Sequence, residues 1–233
     1  MKAMILAAGL GTRLRPWTNT KPKALVQYQD KPLLQWVIEK LIVYNIKEVI
    51  INVYYMADMI IDFVKKNNYF GIHIEFSQEE ELLDTGGGIK KAQWFLEDSP
   101  MFVVYNVDIL SDINLKNMLN TFPKNAIASL AVQQRETSRY LIFDKKRKNL
   151  CGWKNTITKS QKIINKCKNY YEFAFSGIHI ISNKIFDFLP EGKYSIINAY
   201  LDIAKKNIIT FYDHSHDKWR DMGQIESFQS SIL

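Results

Sequence analysis

Met4-Ile5-Leu6-Ala7-Ala8-Gly9-Leu10-Gly11-Thr12-Arg13-Leu14-Arg15-Pro16 decides the reading of this chain. The short apolar run Met4 to Ala8 reads as a buried strand, and the glycines after it as a tight turn with bare backbone N–H groups. A strand that empties into such a turn is a place where a phosphate can approach. Arg13 and Arg15 add positive charge. The stretch is not a Walker A motif, which needs Gly-Lys-Ser/Thr after four residues. Nor is it a dinucleotide fingerprint, because Leu14 stands at the third glycine position. For Gly9-x-Gly11 alone, a plain strand–helix turn is the competing reading. Further on comes Lys21-Pro22-Lys23-Ala24, whose proline stiffens the approach of Lys23.

Outward from this turn, strand-like and helix-like stretches alternate. Pro32 opens a helix whose Leu33, Leu34, Val37, Ile38, Leu41 and Ile42 share one face. Glu48 to Tyr54 reads as a strand, Ala57 to Lys66 as a helix, Ile72 to Phe76 as a strand and Gly88 to Leu96 as a helix. Met101 to Tyr105 is apolar enough to be a central strand. The pattern predicts a three-layer α/β domain of Rossmann type, with a mixed, mostly parallel central sheet. Beyond about residue 125 the strands Ala126 to Gln133, Tyr140 to Phe143, Phe173 to Ile181 and Ile208 to Tyr212 are expected to extend one side of the sheet. Lys145 to Asn149 reads as a hairpin tip, Ile197 to Lys205 as a helix and Gln224 to Leu233 as a closing helix. The expectation is one domain over 1–233, made of a half at 1–125 that holds the glycine turn and a half at 126–233 that adds strands and loops.

The 233 residues carry 31 Lys and Arg against 24 Asp and Glu, a formal charge of +7. Such an excess suits anionic ligands without demanding nucleic acid. At 47% hydrophobic and 24% charged, the composition is that of a globular protein. Cys151 and Cys167 cannot build a disulfide framework and read as ordinary thiols. The apolar run at Met1 to Gly9 is too short for a signal sequence or a membrane span, so the expected location is the cytoplasm, away from membranes.

Three further segments carry candidate chemistry. Leu83-Asp84-Thr85-Gly86-Gly87-Gly88-Ile89 opens a helix with three glycines, which permits close approach of a flat ligand or serves as a flexible loop. Asp108, in Asn106-Val107-Asp108, follows the most apolar strand, where open α/β sheets bind ligands; a helix-capping Asp is the alternative. Asp221, in Lys218-Trp219-Arg220-Asp221-Met222-Gly223, can complete a pair of oxygen donors suited to Mg²⁺, although read alone it is more often a helix-start Asp. Phe173-Ala174-Phe175-Ser176-Gly177-Ile178 reads equally as a substrate contact or as a buried strand with a bulge glycine.

Gly9-Leu10-Gly11-Thr12-Arg13-Leu14-Arg15-Pro16-Trp17-Thr18 followed by Pro22-Lys23-Ala24 resembles the signature of sugar 1-phosphate nucleotidyltransferases. Ala24 replaces the family's second proline, and Val107 stands where the family prefers glycine. The resemblance covers essentially the whole chain. It implies that Arg13 and Lys23 are catalytic, holding the triphosphate and the incoming phosphate. It implies nucleotide contacts at Leu6, Ala7, Ala8, Gly9, Gly11, Thr12, Gln78, Gly86 and Gly87, with Gln78 facing the base. Asn106, Glu172, Ser176 and Gly177 match sugar-contacting positions, and Asp108 and Asp221 match the Mg²⁺ carboxylates. Thr85-Gly86-Gly87-Gly88-Ile89, Phe175-Ser176-Gly177-Ile178 and Trp219-Arg220-Asp221-Met222-Gly223 resemble N-acetylmuramate 1-phosphate uridylyltransferases most closely. Mannose and heptose 1-phosphate guanylyltransferases share much of the pattern.

The implied reaction joins a sugar 1-phosphate to the α-phosphorus of a nucleoside triphosphate, with pyrophosphate leaving. UTP and N-acetylmuramate 1-phosphate are the expected pair, and GTP with mannose or heptose 1-phosphate the alternative. The attacking phosphate is already anionic, so positioning and charge neutralisation suffice. The sequence offers no Ser-His-Asp or Cys-His constellation, in keeping with direct displacement. A non-catalytic nucleotide-sugar sensor is the reading from another class, and such a protein is expected to lack one of Arg13, Lys23, Asp108 or Asp221. His214-Ser215-His216 lacks the further ligands zinc needs. Lys145 to Lys148 reads as a solvated tip, and no basic and aromatic array points to nucleic acid.

Overall fold

In the computed structural model, which describes residues 1–228, the chain forms fourteen strands and six α-helices joined by short 3-10 turns. In chain order these are β1 (Lys2–Leu6), β2 (Gln27–Tyr28), β3 (Lys31–Pro32), α1 (Leu33–Val43), β4 (Glu48–Val53), α2 (Ala57–Lys66), β5 (His73–Gln78), α3 (Asp84–Lys91), α4 (Gln93–Leu96), β6 (Met101–Asn106) and β7 (Ile109–Ser111). There follow α5 (Leu115–Asn120), β8 (Ala126–Gln133), β9 (Arg139–Asp144), β10 (Leu150–Asn155), β11 (Gln161–Ile163), β12 (Tyr170–Ser182), α6 (Ile196–Ile203), β13 (Ile208–Asp213) and β14 (Trp219–Asp221).

Ten of the strands form one sheet in the order β11-β10-β9-β12-β6-β1-β4-β5, with β8 joined to β12 and β13 joined to β8. The run β6-β1-β4-β5 is parallel throughout. β1, β4 and β6 are buried on both faces, and their residues alternate between two cores. Met4, Ile50, Phe102 and Val104 face a core shared with α3, α4 and α6. Ala3, Ile5, Val49, Ile51, Val103 and Tyr105 face a core shared with α1, α2 and α5. That alternation makes three layers, the only way to cover a sheet that is apolar on both sides.

The second half continues the sheet through β12, which pairs antiparallel with β6 at one end and with β9 at the other. Between Phe175 and His179 its register with β8 shifts. This bulge lets one strand serve neighbours that diverge. The three glycines at 86–88, read in part as a loop, lie inside α3, which begins at Asp84. Close packing overrides glycine's poor helix propensity here. A β-carbon on Gly86 would lie 2.3 Å from Tyr194 Cε2, and one on Gly87 2.2 Å from the Gly192 carbonyl oxygen. Of the expected closing helix, Ile225–Phe228 is a 3-10 turn and the remainder lies outside the described residues. Among the described residues no helix is long and apolar enough to cross a membrane.

Candidate active site

The glycines of the loop after β1 have different tasks. At Gly11 φ is +65°, and a β-carbon would press on Thr18 Cγ2 at 2.9 Å and Lys23 Cβ at 3.0 Å. Only glycine takes that backbone freely while residues 18 and 23 close over it. Thr18 Oγ1 donates to the Gly11 carbonyl at 2.8 Å, and Leu14 N–H donates to the same oxygen at 2.9 Å. Gly9 instead faces open space where a side chain would stand. With Leu6, Ala7, Ala8, Arg13, Lys23, Asn106 and Asp108 it lines a cavity of about 370 Å³.

Two carboxylates meet beside this cavity because of a small ladder. β7 follows Asp108 directly, and β14 pairs with it antiparallel, with Asp221 opposite Ile109. Met222 N–H donates to the Asp108 carbonyl at 2.7 Å, and Gly223 N–H donates to Asp221 Oδ1 at 2.7 Å. A β-carbon on Gly223 would lie 2.7 Å from Asp221 Oδ1, 2.8 Å from Arg13 Nη2 and 3.0 Å from Asp108 Oδ2. Four charged groups therefore converge, for Lys23 Nζ also forms an ion pair with Asp108 Oδ2. Burial, and then the charge of Asp108, pushes the Asp221 carboxyl above the usual carboxylate range; the Gly223 N–H, Arg13 and Lys23 act in the opposite sense.

Two further carboxylates, Glu79 and Asp84, line the cavity together with Lys193. Asn52, at the end of β4, accepts from Ala7 N–H at 2.7 Å and donates to Glu79 Oε1 at 2.7 Å. Glu79 Oε2 accepts from Leu83 N–H at 3.0 Å. The buried Asn52–Glu79 pair thus ties the ends of β1, β4 and β5 to the start of α3, and Leu82, Asp84 and Thr85 complete this wall. A second cleft of about 940 Å³ opens on the other side of Arg13, which lines both spaces. Asp221, Arg135, Glu136, Arg139, Trp153, Phe175 and Trp219 are among its walls. Asp108 borders the first space and Asp221 the second, so the carboxylate pair stands at the junction.

Several positions expected at the site are placed elsewhere. Gln78 is exposed at the end of β5, and its neighbour Glu79 takes the inward place. Gly86 and Gly87 are buried, with Tyr194 and the Gly192 carbonyl standing where their side chains would be. Glu172 pairs across the sheet with Ile142 and holds Lys154 Nζ at 2.6 Å. That puts it on the face opposite Leu141 and Trp153, which line the second cleft. Ser176 is fully buried, and its Oγ lies 2.7 Å from His214 Nε2. Gly177 takes φ +75° with Asn106 Nδ2 against it, as the bulge requires. Thr12 is exposed at the start of the 3-10 turn.

Ser176, His214 and Asp217 do meet in space, although the sequence offered no such constellation. His214 Nδ1 is 3.7 Å from Asp217 Oδ2, beyond hydrogen-bond reach, and Ser176 has no path to a substrate. The group is structural. Gln133 Nε2 donates to the carbonyls of His214 and Asp217, and Trp219 Nε1 donates to the Ser176 carbonyl at 2.9 Å. These bonds fasten β14 to the bulge in β12.

The sequence is similar to that of a mannose-1-phosphate guanyltransferase from Candida albicans, 29% identical over 99% of this chain and 63% of that protein. It is equally similar to a UTP–glucose-1-phosphate uridylyltransferase from Synechocystis sp., 29% identical over 100% of this chain and 62% of the other. The chain thus spans under two thirds of the length of these relatives. The fold is similar to that of HddC from Yersinia pseudotuberculosis complexed with GMP-PN, with a TM-score of 0.76, 25% identity and coverage of 98% and 96% of the two chains. The sequence pattern described as nucleotidyl transferase runs over residues 2–232, taking in the glycine turn and both carboxylates. On that match the chain belongs to the nucleotidyl transferase family.

Proposed function

We propose that the protein transfers a guanylyl group from GTP to a sugar 1-phosphate, with mannose or heptose 1-phosphate as the acceptor class, giving a GDP-sugar and pyrophosphate. The observation that carries the choice of base is Glu79. Its carboxylate belongs to the lining of the same cavity as Arg13 and Lys23. Guanine presents two adjacent donors, the ring N1–H and the exocyclic amine, to a carboxylate whose oxygens keep lone pairs beyond those used by Asn52 and Leu83. Uracil offers one N–H between two carbonyls, which a carboxylate repels. The guanyltransferase relatives and the guanine nucleotide named with HddC support this reading over UTP with N-acetylmuramate 1-phosphate.

The triphosphate would lie along the Gly9–Gly11 loop, with Arg13 and Lys23 against its oxygens. The sugar would occupy the second cleft, which Trp153 lines together with Trp219, whose ring carries the Arg135 guanidinium 3.9 Å from its centre. Its phosphate then reaches the α-phosphorus at the Arg13 junction, already ionised, so no general base is needed. Arg13 and Lys23 offset the repulsion between the two anions and the charge that gathers on pyrophosphate. Asp108 and Asp221 fit a divalent cation such as Mg²⁺: both offer oxygen donors, and of the two causes that raise Asp221, burial and then the charge of Asp108, the second is what a cation relieves. When bound, the ion would supply further neutralisation of phosphate charge.

Pyrophosphate release measured for four nucleoside triphosphates against mannose, heptose, glucose and N-acetylmuramate 1-phosphates tests the proposal. GTP with mannose or heptose 1-phosphate is expected to exceed the other pairs at least tenfold in kcat/KM. A UTP preference would return the uridylyl reading, and no release from any pair would leave a binding protein.

A further inference from the structure

We propose that Asp144, Cys151 and Cys167 form a binding site for one soft divalent cation of the zinc type, apart from the carboxylate pair. One ligand atom from each lies within 4.8 Å of the other two. Tetrahedral zinc with two sulfurs and an oxygen holds its ligands about 3.3–3.8 Å apart, so small side-chain rotations close the site.

The backbone brings these three together by specific means. Asp144 ends β9, and Cys151 falls where the β9–β10 register slips between Leu150 and Gly152. A bulge turns a side chain out of its regular alternation, and here it serves a thiol. Cys167 lies in the crossing from β11 to β12. The Cys151 carbonyl accepts from Ile164 N–H at 2.8 Å and from Asn165 N–H at 3.2 Å, which pins that crossing beside the bulge. Asp144 is oriented too: its Oδ1 accepts from Lys146 N–H at 2.9 Å and Arg147 N–H at 2.6 Å. The second oxygen is left for a ligand, in the way outer bonds orient metal-binding carboxylates.

The chemistry selects the ion. Two thiolates and a carboxylate favour a soft cation over Mg²⁺. They would leave a bound +2 ion with net charge −1, and Arg147, Lys166, Lys205 and Lys206 border the small cavity at Cys151 and Asp144, where they offset it. Binding releases the two thiol protons, so affinity rises with pH. None of the three ligands lines either space at the carboxylate junction. The site would clamp the β9–β10 hairpin, whose Arg139, Leu141 and Trp153 line the second cleft, to the start of β12.

Reduced, chelator-treated protein titrated with Co²⁺ tests the site. The expected result is one equivalent bound, with thiolate-to-cobalt absorption in the near ultraviolet and the strong visible bands of a tetrahedral ion, both displaced by Zn²⁺. Cys151→Ser and Cys167→Ser are each expected to abolish the thiolate absorption. Asp144→Asn, which retains an acceptor for the turn, is expected to weaken binding at least tenfold. The proposal is overturned if the reduced wild-type chain shows no thiolate absorption at equimolar Co²⁺, or if the double cysteine variant binds Co²⁺ as tightly. A chain that only oxidises to a Cys151–Cys167 disulfide, seen by mass, and binds no metal when reduced overturns it as well.

Discussion

Asp108 and Asp221 approach one another across the Cα of Gly223, although more than a hundred residues of chain lie between them. The β7–β14 ladder makes the meeting, and Arg13 and Lys23 balance the charge it concentrates. Asp108→Asn keeps the shape of this arrangement and removes one charge. Turnover is expected to fall about 10²-fold or more, since several kcal/mol of charge stabilisation rests on an ion held there. Near-normal rates at saturating Mg²⁺, with an unchanged melting curve, would count against the assignment.

Gly223→Ala tests the crowding itself. The added carbon would stand under 3 Å from Asp221 Oδ1 and Arg13 Nη2, so at least one of them must move. A displacement of about 1 Å at such a site costs on the order of 10²-fold in rate. The expected signature is a fall in kcat of at least tenfold with little change in nucleotide affinity. Unchanged kcat would show that the four groups have slack.

Glu79→Gln bears on the base. It preserves size but puts an amide where guanine needs an acceptor. The kcat/KM for GTP is expected to fall about 10- to 10²-fold, roughly 1.4–2.7 kcal/mol, while the value for UTP stays level or rises. Parallel losses for both nucleotides would mean that Glu79 only braces the Asn52–Leu83 wall.

Acid should destabilise the fold through two buried imidazoles. Burial pushes His179 down to about 3 and His214 down to about 4. An unfolded histidine titrates near 6.5, so below that pH the unfolded chain binds the extra protons. Stability is therefore expected to be complete above about 6.5 and to fall as pH drops toward 4. The slope approaches about 1.4 kcal/mol per pH unit for each ring. Urea midpoints at pH 7, 6 and 5 check this; equal midpoints at 7 and 5 would refute it.

The first half of the fold was legible because β1, β4 and β6 are short apolar runs and α1 and α2 keep a helical stripe, so period alone separates them. The inward acid was missed by one residue. β5 runs on to Gln78, and its last turns put Ser77 inward, Gln78 outward and Glu79 inward again. The Glu79-Glu80-Glu81 run was given no role, and the strand phase was the available signal. At Ser176 the second of two readings, a buried strand with a bulge glycine, is the one seen; its partner His214 lies on a distant segment that no local pattern could name. The glycines of α3 were read as opening a helix beside a flat ligand, or as a loop, whereas the Gly192–Tyr194 segment that covers them is visible only in three dimensions.

The length of β12 bears on how the molecule comes apart. Its Ile178 to Ser182 segment is bonded to β6, and its Tyr170 to Ala174 segment to β9. Neither half can melt away without stripping partners from this shared strand, so local opening is costly there. Amide protons at Ile178 to Ile181 are expected to exchange only when the entire chain unfolds. Heat should then reveal a single cooperative transition, and a protease that nicks the chain near residue 125 would find no stable fragment on either side.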